Sequence, residues 1–363
     1  MKTLKGLVLS GGKGTRLRPF TFTAAKQLVP IANKPVLFYV LEDLVRAGIT
    51  DIGIIVGETA DQIRAAVGDG SQFGARITYI LQLEPLGLAH AVLTAESWLD
   101  GSPFVMYLGD NFLRDGISKL VDEYQKSGAD AQILLKRVPH PEQFGVAIVE
   151  DGRVARLIEK PPPPPPGEAP VSDLALVGVY MFDHSIMAAA RAIVPSRRGE
   201  LEITDAISWL VEHGHTVRPH ELDGRWIDTG KMEDLLEANR LVLERVERNV
   251  RGQVDEVSTL VGDMEIGADV RITNSVLRGP LSVAAGSEIS NCYIGPFTAI
   301  GENCVIRHCE IQHSIVMECC TVEDIGTPIE SSVIGRYARV TRVNRRPHAY
   351  RLTLGDYSSA EVP

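Results

Sequence analysis

Residues 7–21 read LVLSGGKGTRLRPFT. An apolar run meets Gly11, Gly12 and Gly14, and Arg16 and Arg18 follow at once. Glycines have no Cβ, so backbone N–H groups can close on an anion, and a guanidinium beside them can hold phosphate oxygens in pairs. Two familiar phosphate loops do not fit. A P-loop needs Lys then Ser or Thr after its last glycine, and here Lys13 is followed by Gly14. A dinucleotide fingerprint needs a third glycine where Leu17 stands. A second chemical candidate is Asp110, which follows the apolar run Phe104–Leu108. The carboxyl end of a strand is where open α/β sheets hold ligands, and it is also where an aspartate can simply make a turn.

The rest of the phrase is more specific. GGKGTRLRPFT is followed by AKQLVPIANKP, then LQLEPLGLAHA, YLGDN at 107–111, FGVA at 144–147, IEKP at 158–161, RRGELEITD at 197–205 and WIDTG at 226–230. Types and order together resemble the sugar-nucleotide pyrophosphorylases, the sugar-1-phosphate nucleotidyltransferases, nearly end to end over the N-terminal part. The resemblance implies a reaction of dTTP with glucose 1-phosphate to give dTDP-glucose and pyrophosphate. A sugar-phosphate oxygen, already anionic at neutral pH, attacks the α-phosphorus in line. Catalysis is then positioning and charge neutralisation rather than strong base chemistry.

Each motif takes a part in that scheme by resemblance. Leu9, Gly11, Gly12, Gly14, Thr15, Arg16, Gln27, Gln82, Gly87 and Asp110 would bind the nucleotide, with Gln82 and the Gly87 backbone on the thymine edge. Asn111, Gly145, Glu159, Lys160, Leu176 and Arg198 would bind the sugar phosphate. Arg16, Lys26 and Lys160 would carry the catalytic positive charge. Asp110 and Asp228 would converge on Mg²⁺, which suits hard carboxylate oxygens shared with substrate phosphates. The chain departs from the family pattern at Ala25, where Ser is usual, at Phe144, where Tyr is usual, and at Val177, where Thr is common. None of these removes a charged group; sugar stacking and effector affinity are what they touch.

Elements must hold these groups in place. Strand-like runs at Leu4–Leu9, Asp51–Val56, Arg76–Leu81 and Phe104–Leu108 alternate with helical spacing at Val36–Ala47, Ala60–Val67 and Ala89–Ser97. That alternation predicts parallel strands covered by helices. Ala131–Val138, Gly145–Glu150, Arg153–Glu159 and Leu176–Phe182 continue as strands, Pro161–Pro166 reads as an exposed polyproline connection, and Leu235–Val246 is helical. After Arg251 helical spacing stops. Ile-Gly pairs recur at Ile266, Ile294, Ile300, Ile325 and Ile334, and Ile294, Ile300 and Ile306 step by six. This is the rhythm of a parallel β-helix, with one apolar residue turned inward per short strand and glycine at the corner. Val270 to Val276 and Val316 to Val322 repeat the step, with irregular coils expected near 280–290 and 323–332. Resemblance and repeat together predict a Rossmann-like α/β nucleotidyltransferase domain with a mixed central sheet at 1–248. A C-terminal left-handed parallel β-helix follows at 249–363, with Cys304, Cys309 and Val316 on its outer faces as subunit contacts.

Bulk properties bound the function. With 363 residues, 44% hydrophobic, the chain suits two domains. A net charge of −10 argues against a nucleic-acid partner. No apolar run of transmembrane length is present and no secretory leader is read, so a cytoplasmic homo-oligomer without a membrane partner is expected. The five cysteines, all from Cys292 onward, read as reduced and mostly buried. Three rival readings stay open: a sibling enzyme with another base or hexose, a bifunctional chain whose β-helix transfers acetyl groups through His308 or His313, and an inactive sugar-nucleotide sensor. The basic run RVNRRPHAY at 342–350 reads as a solvated tail.

Overall fold

A computed structural model describes residues 2–12, 14–165, 167–342 and 352–361. Lys13, Pro166 and 343–350 of the basic run lie outside them. Contacts divide the chain into two compact units, Met1–Lys13 with Leu37–Asp228, and Gly14–Val36 with Thr229–Pro363. In chain order the elements up to the coil are β1 Lys5–Leu9, β2 Pro30–Ile31, β3 Lys34–Pro35, α1 Val36–Arg46, β4 Asp51–Val56, α2 Ala60–Val67, β5 Arg76–Leu81, α3 Leu88–Thr94, α4 Glu96–Leu99, β6 Phe104–Leu108, β7 Asn111–Leu113, α5 Ser118–Ser127, β8 Ala131–Arg137, β9 Gly145–Glu150, β10 Arg153–Glu159, β11 Leu174–Phe182, α6 Ser185–Ala192, α7 Ile203–Glu212, β12 Val217–Glu221, β13 Trp226–Asp228 and α8 Met232–Leu243.

The first unit is a mixed Rossmann-like sheet in the order β10-β9-β11-β6-β1-β4-β5, with β8 on β11 and β12 on β8. β1 runs parallel to both β4 and β6, and β4 parallel to β5. Alternating strand and helix therefore gives a parallel run of these four strands, and β12 also lies parallel to β8. β11 turns antiparallel to β6, β8 and β9 and ends the pattern. From β1 the chain builds outward through β4 and β5, then returns to β6 on the other side of β1. Strand order reverses between β1 and β6, the crevice where such sheets hold ligands. Leu7 and Val8 of β1 and Val105 and Met106 of β6 are fully buried, as apolar runs covered on both faces must be. The helix expected over Ala89–Ser97 breaks at Ala95 into α3 and α4. Residues 161–165 of the proline run form no helix or strand.

In the second unit the chain winds as a left-handed β-helix with three parallel faces of six, six and five strands. Inward residues stack coil on coil: Ile266, Val283, Ile300, Val316 and Ile334 on one face, Ile272, Ile289, Ile306, Val322 and Val340 on the next. Each fully buried aliphatic is worth about 1.5–3 kcal/mol relative to exposure. Val316 and Val322 step inward as the spacing predicts. Val276 does not: Leu277 takes the inward row and leaves Val276 exposed. Cys304, Cys309 and Val316 are buried inside the coil, which corrects their expected place on an outer face. Each cysteine follows a residue in left-handed conformation, Asn303 or His308, and that corner turns the next side chain inward. All five cysteines are free thiols.

The glycines act differently from the expectation. Gly267 and Gly301 are demanded by close approach, since a Cβ would stand 2.7 Å from the Ala285 nitrogen and 2.6 Å from the Glu318 nitrogen of the next coil. Left-handed corners fall at Gly262 and Gly286, with φ of 84° and 72°, and also at non-glycine residues, among them Asn291, Phe297, Asn303, His308, His313, Cys319 and Asp324, with φ of 46–60°. Residues 280–290 form regular strands, with no broken coil. Beyond 323 the coil lengthens, pairing Ile311 with Ile329 where the preceding coil paired Ile294 with Ile311. Gly301→Ala is expected to lower the heat-unfolding midpoint of the full chain by several degrees, while Glu302→Ala, on an exposed side chain, leaves it within about 1 °C. Differential scanning calorimetry of both variants checks this.

Candidate active site

The nucleotide motifs of the first unit meet around the end of β1. Leu9 is buried there, and its carbonyl accepts from the Gly109 N–H at 2.9 Å, tying the glycine loop to the turn that carries Asp110. The Ser10 hydroxyl is buried without a protein partner. Gln82 follows β5, and its Oε1 lies 3.7 Å from where a Cβ on Gly11 would stand. Its amide nitrogen lies 2.8 Å from Nδ1 of His90. Gly12 has open space around it. Gly87 precedes α3 with φ 106°, and a Cβ there would come within 2.4 Å of the Leu201 carbonyl oxygen, so only glycine fits. The Leu201 N–H donates to the Leu86 carbonyl and the Ala89 N–H to the Leu201 carbonyl. LQLEPLGLAHA and RRGELEITD, distant in sequence, are thus stitched together by backbone.

Asp110 and Asp228 meet through a ribbon too short to read from sequence. β7 and β13 pair antiparallel with Asp228 opposite Asn111, next in the chain to Asp110. Asn111 is buried, and its side chain holds the corner. Its Oδ1 accepts from the Trp226 indole N–H at 2.6 Å and the Gly178 N–H at 3.3 Å, and its Nδ2 donates to Asp110 Oδ1 at 3.2 Å. Gly178 must be glycine, since a Cβ would stand 2.6 Å from that same Oδ1. Among the described residues no group of three or more His, Cys, Asp or Glu could hold a metal alone. A mostly buried Asp110 beside an Asp228 strand partner is a hard-oxygen pair, which fits Mg²⁺, an ion normally bound by one or two carboxylates plus substrate phosphates.

The sugar-side residues form a third cluster. Gly145 pairs with Glu159 across β9 and β10. A Cβ on Gly145 would stand 2.6 Å from Thr204 Cγ2, 3.0 Å from Glu159 Oε2 and 3.7 Å from Leu176 Cδ1, so its missing side chain lets Thr204 and Glu159 pack this closely. Glu159 accepts from Arg198 at 3.0 Å and from the Thr204 hydroxyl at 3.2 Å. Arg198 also makes a forked contact to both oxygens of buried Glu202 at 2.9 Å. Burial, followed by the nearby Glu202 charge, raises the Glu159 carboxyl above its ordinary range, while Arg198 and Lys160 pull it back. Leu176 lies on β11 before a register shift, and Lys160 stands exposed at φ 43° with its N–H on the Phe144 carbonyl. Phe144 makes an edge contact with Trp226 at 5.4 Å.

Gly14, Thr15, Arg16, Lys26 and Gln27 belong to the second unit. Gly14 takes a left-handed turn at φ 60°, where a Cβ would strike Lys26 Cβ at 2.8 Å, and the Thr21 hydroxyl donates to its carbonyl at 2.7 Å. Thr15 and Arg16 follow in an exposed single turn, while Gln27 is buried with its Oε1 unpartnered. Asn239 of α8 joins this segment to the coil, accepting from the Ala32 N–H at 2.8 Å and donating to the Phe297 carbonyl at 2.9 Å. Asn33 bonds Ser282 at 3.0 Å, and Arg336 donates to the Leu28 carbonyl at 3.3 Å.

Sequence reasoning missed His90, Gly178, Glu202, Thr204 and Trp226. All but Gly178 lie inside quoted motifs, yet spacing alone does not say which motif residue touches which. His308 and His313 occupy left-handed corners, His308 paired with Asp324 at 2.9 Å and His313 edge-on to Phe297. No helix among the described residues is long and apolar enough to cross a membrane.

Comparison with known proteins agrees with this geometry. A Nucleotidyl transferase family model matches residues 5–245. A glucose-1-phosphate thymidylyltransferase of Streptomyces griseus is 50% identical over 99% of both chains, and one of Streptomyces antibioticus is 51% identical over 99% of both. A structure provisionally named as a glucose-1-phosphate thymidylyltransferase from Bacillus anthracis, in complex with sucrose, is 34% identical. It superposes with a TM-score of 0.61 over 66% of this chain and 95% of its own. With the family model spanning the whole sheet, the chain belongs to the nucleotidyl transferase family.

Proposed function

We propose that the chain joins dTTP and glucose 1-phosphate into dTDP-glucose and pyrophosphate. The observation that carries the reading is the β7–β13 ribbon: it sets Asp228 across from Asn111 and beside Asp110, at the carboxyl end of β6 and next to the switch point where Gly11 leaves β1. Full-length similarity to two thymidylyltransferases supports the choice of base and sugar.

The residues divide the work. Backbone N–H groups at Gly11, Gly12 and Gly14, with Thr15 and Gln27, cradle the triphosphate, and Leu9 packs beside the base. Gln82 and the Gly87 backbone meet the thymine edge. Gly145 lets Thr204 and Glu159 close on the sugar side, Glu159 accepts from the hexose hydroxyls, and Asn111 and Leu176 frame it. Arg198 and Lys160 hold the sugar phosphate, with Lys160 also on the α-phosphate. Arg16 and Lys26 neutralise the pyrophosphate as it leaves. Asp110 and Asp228 would hold Mg²⁺, which when bound supplies charge neutralisation at the transferring phosphoryl group. The chemistry lies in 1–248, and 249–363 supports assembly of a cytoplasmic homo-oligomer. The same reading gives His308 and His313 conformational work at coil corners and no acyl transfer.

Pyrophosphate release across pairs of nucleoside triphosphates and sugar phosphates tests the reaction: dTTP with glucose 1-phosphate is expected to give the highest kcat/KM, and another pair ahead by tenfold would overturn the assignment. Asp110→Asn and Asp228→Asn are each expected to lower kcat about 10²-fold or more at saturating Mg²⁺. Arg16→Ala should lower kcat more than it raises KM for dTTP, since charge on the departing pyrophosphate grows in the transition state; a pure KM effect means Arg16 only binds.

Glu159 gives a pH-dependent expectation. Its folded form keeps a proton to higher pH than its unfolded form, so the ionised side chain costs stability once pH rises past its raised range. Glu159→Gln removes that cost and should raise the unfolding midpoint relative to wild type at pH 7 but not at pH 4. The same change should raise KM for glucose 1-phosphate. Thermal melts at both pH values and initial rates check the pair.

A further inference from the structure

Gln82 is 9% exposed, and its N–H donates to the Val56 carbonyl at 2.9 Å, so backbone and side chain are both confined. An amide can still turn half over and exchange its donor and acceptor ends with little steric change. His90 sets that choice when its Nδ1 carries no proton. Its Nδ1 lies 2.8 Å from Gln82 Nε2, while Gln82 Oε1 faces Gly11. For Nδ1 to accept, the imidazole is neutral and carries its proton on Nε2. The backbone around His90 is held: the Ala89 N–H donates to the Leu201 carbonyl at 3.1 Å, and the Thr94 hydroxyl donates to the His90 carbonyl at 2.8 Å.

The fixed amide presents an acceptor, Oε1, and its remaining Nε2–H as donor. Thymine and uracil match, with an N3–H to give and a carbonyl to receive. Cytosine presents the reverse pair, an N3 acceptor beside an N4 donor. We propose that His90 is a positioning residue for base selection: it locks the Gln82 amide in the orientation that admits thymine or uracil and rejects cytosine. The proposal rests on the reading that Gln82 meets the base.

The test measures kcat/KM for dTTP and for dCTP with glucose 1-phosphate, using the full chain. His90→Ala and the volume-keeping His90→Phe, both without an acceptor, should narrow the dTTP preference at least about tenfold while kcat with dTTP falls far less. His90→Asn, whose Oδ1 can stand where Nδ1 stood, should retain most of the preference. The lock is overturned if Ala and Phe keep the wild-type preference, if they lose both nucleotides in parallel, or if Asn narrows it as much as Ala. A wild-type preference for dCTP would put the amide the other way round and overturn it too. Gln82→Ala separates the two layers. An unchanged preference there means Gln82 does not meet the base, whereas a narrowed one beside unaffected His90 variants sinks only the lock.

Discussion

The first unit's site depends on a buried amide. Asn111 follows the carboxylate at the end of β6 and directs its side chain to three partners, the Asp110 carboxylate, the Gly178 N–H and the Trp226 indole. Each partner comes from a different stretch of chain. The Trp226 bond draws in the strand that ends at Asp228, and the Gly178 bond fixes β11, which carries Leu176 two residues earlier toward its start. Removing the amide would leave buried polar groups unsatisfied in several segments at once, a penalty of about 1–3 kcal/mol for each.

Charge is handled by a related economy. Glu159, Arg198 and Glu202 form one hydrogen-bonded group, with Glu202 almost fully buried and doubly bonded to the guanidinium. The group leaves Glu159 partly destabilised in its ionised form, as its raised pKa records. A carboxylate kept under such strain gains by accepting hydrogen bonds, which suits hydroxyl donors of a sugar. Tyr180 feels the same neighbourhood: burial and the Glu159 charge push its phenol above the usual range.

In the β-helix, geometry is set by two different residue classes. Inward aliphatics supply the hydrophobic stack, and left-handed corners turn the chain between faces. Glycine serves there where neighbouring coils come too close for a Cβ and, at Gly262 and Gly286, where the chain takes positive φ. The corner at Phe297 shows how the fold overrides local preference, because an aromatic residue takes φ 59° while its carbonyl accepts from Asn239. That bond also joins the coil to α8, whose Asn239 holds the segment carrying Arg16 and Lys26 in the same unit.

By itself the sequence determined many of the strands and the repeat. Asp51–Val56, Arg76–Leu81, Phe104–Leu108, Gly145–Glu150 and Arg153–Glu159 are bounded as their apolar patterns indicate, because burial on one or both faces imprints itself directly on residue type. Ile294, Ile300 and Ile306 marked the coil for the same reason. Motif order named the candidate residues of the site. Only the tertiary structure decided how they meet. β7 and β13 have three residues each, too few for a periodic signal, yet they alone set Asp228 beside Asp110. His90, Arg198 and Trp226, which bond Gln82, Glu159 and Asn111, lie 8, 39 and 115 residues from them. Hydrogen bonds to such partners leave no spacing in the chain, since a donor and an acceptor need only the right chemistry and the fold supplies the distance.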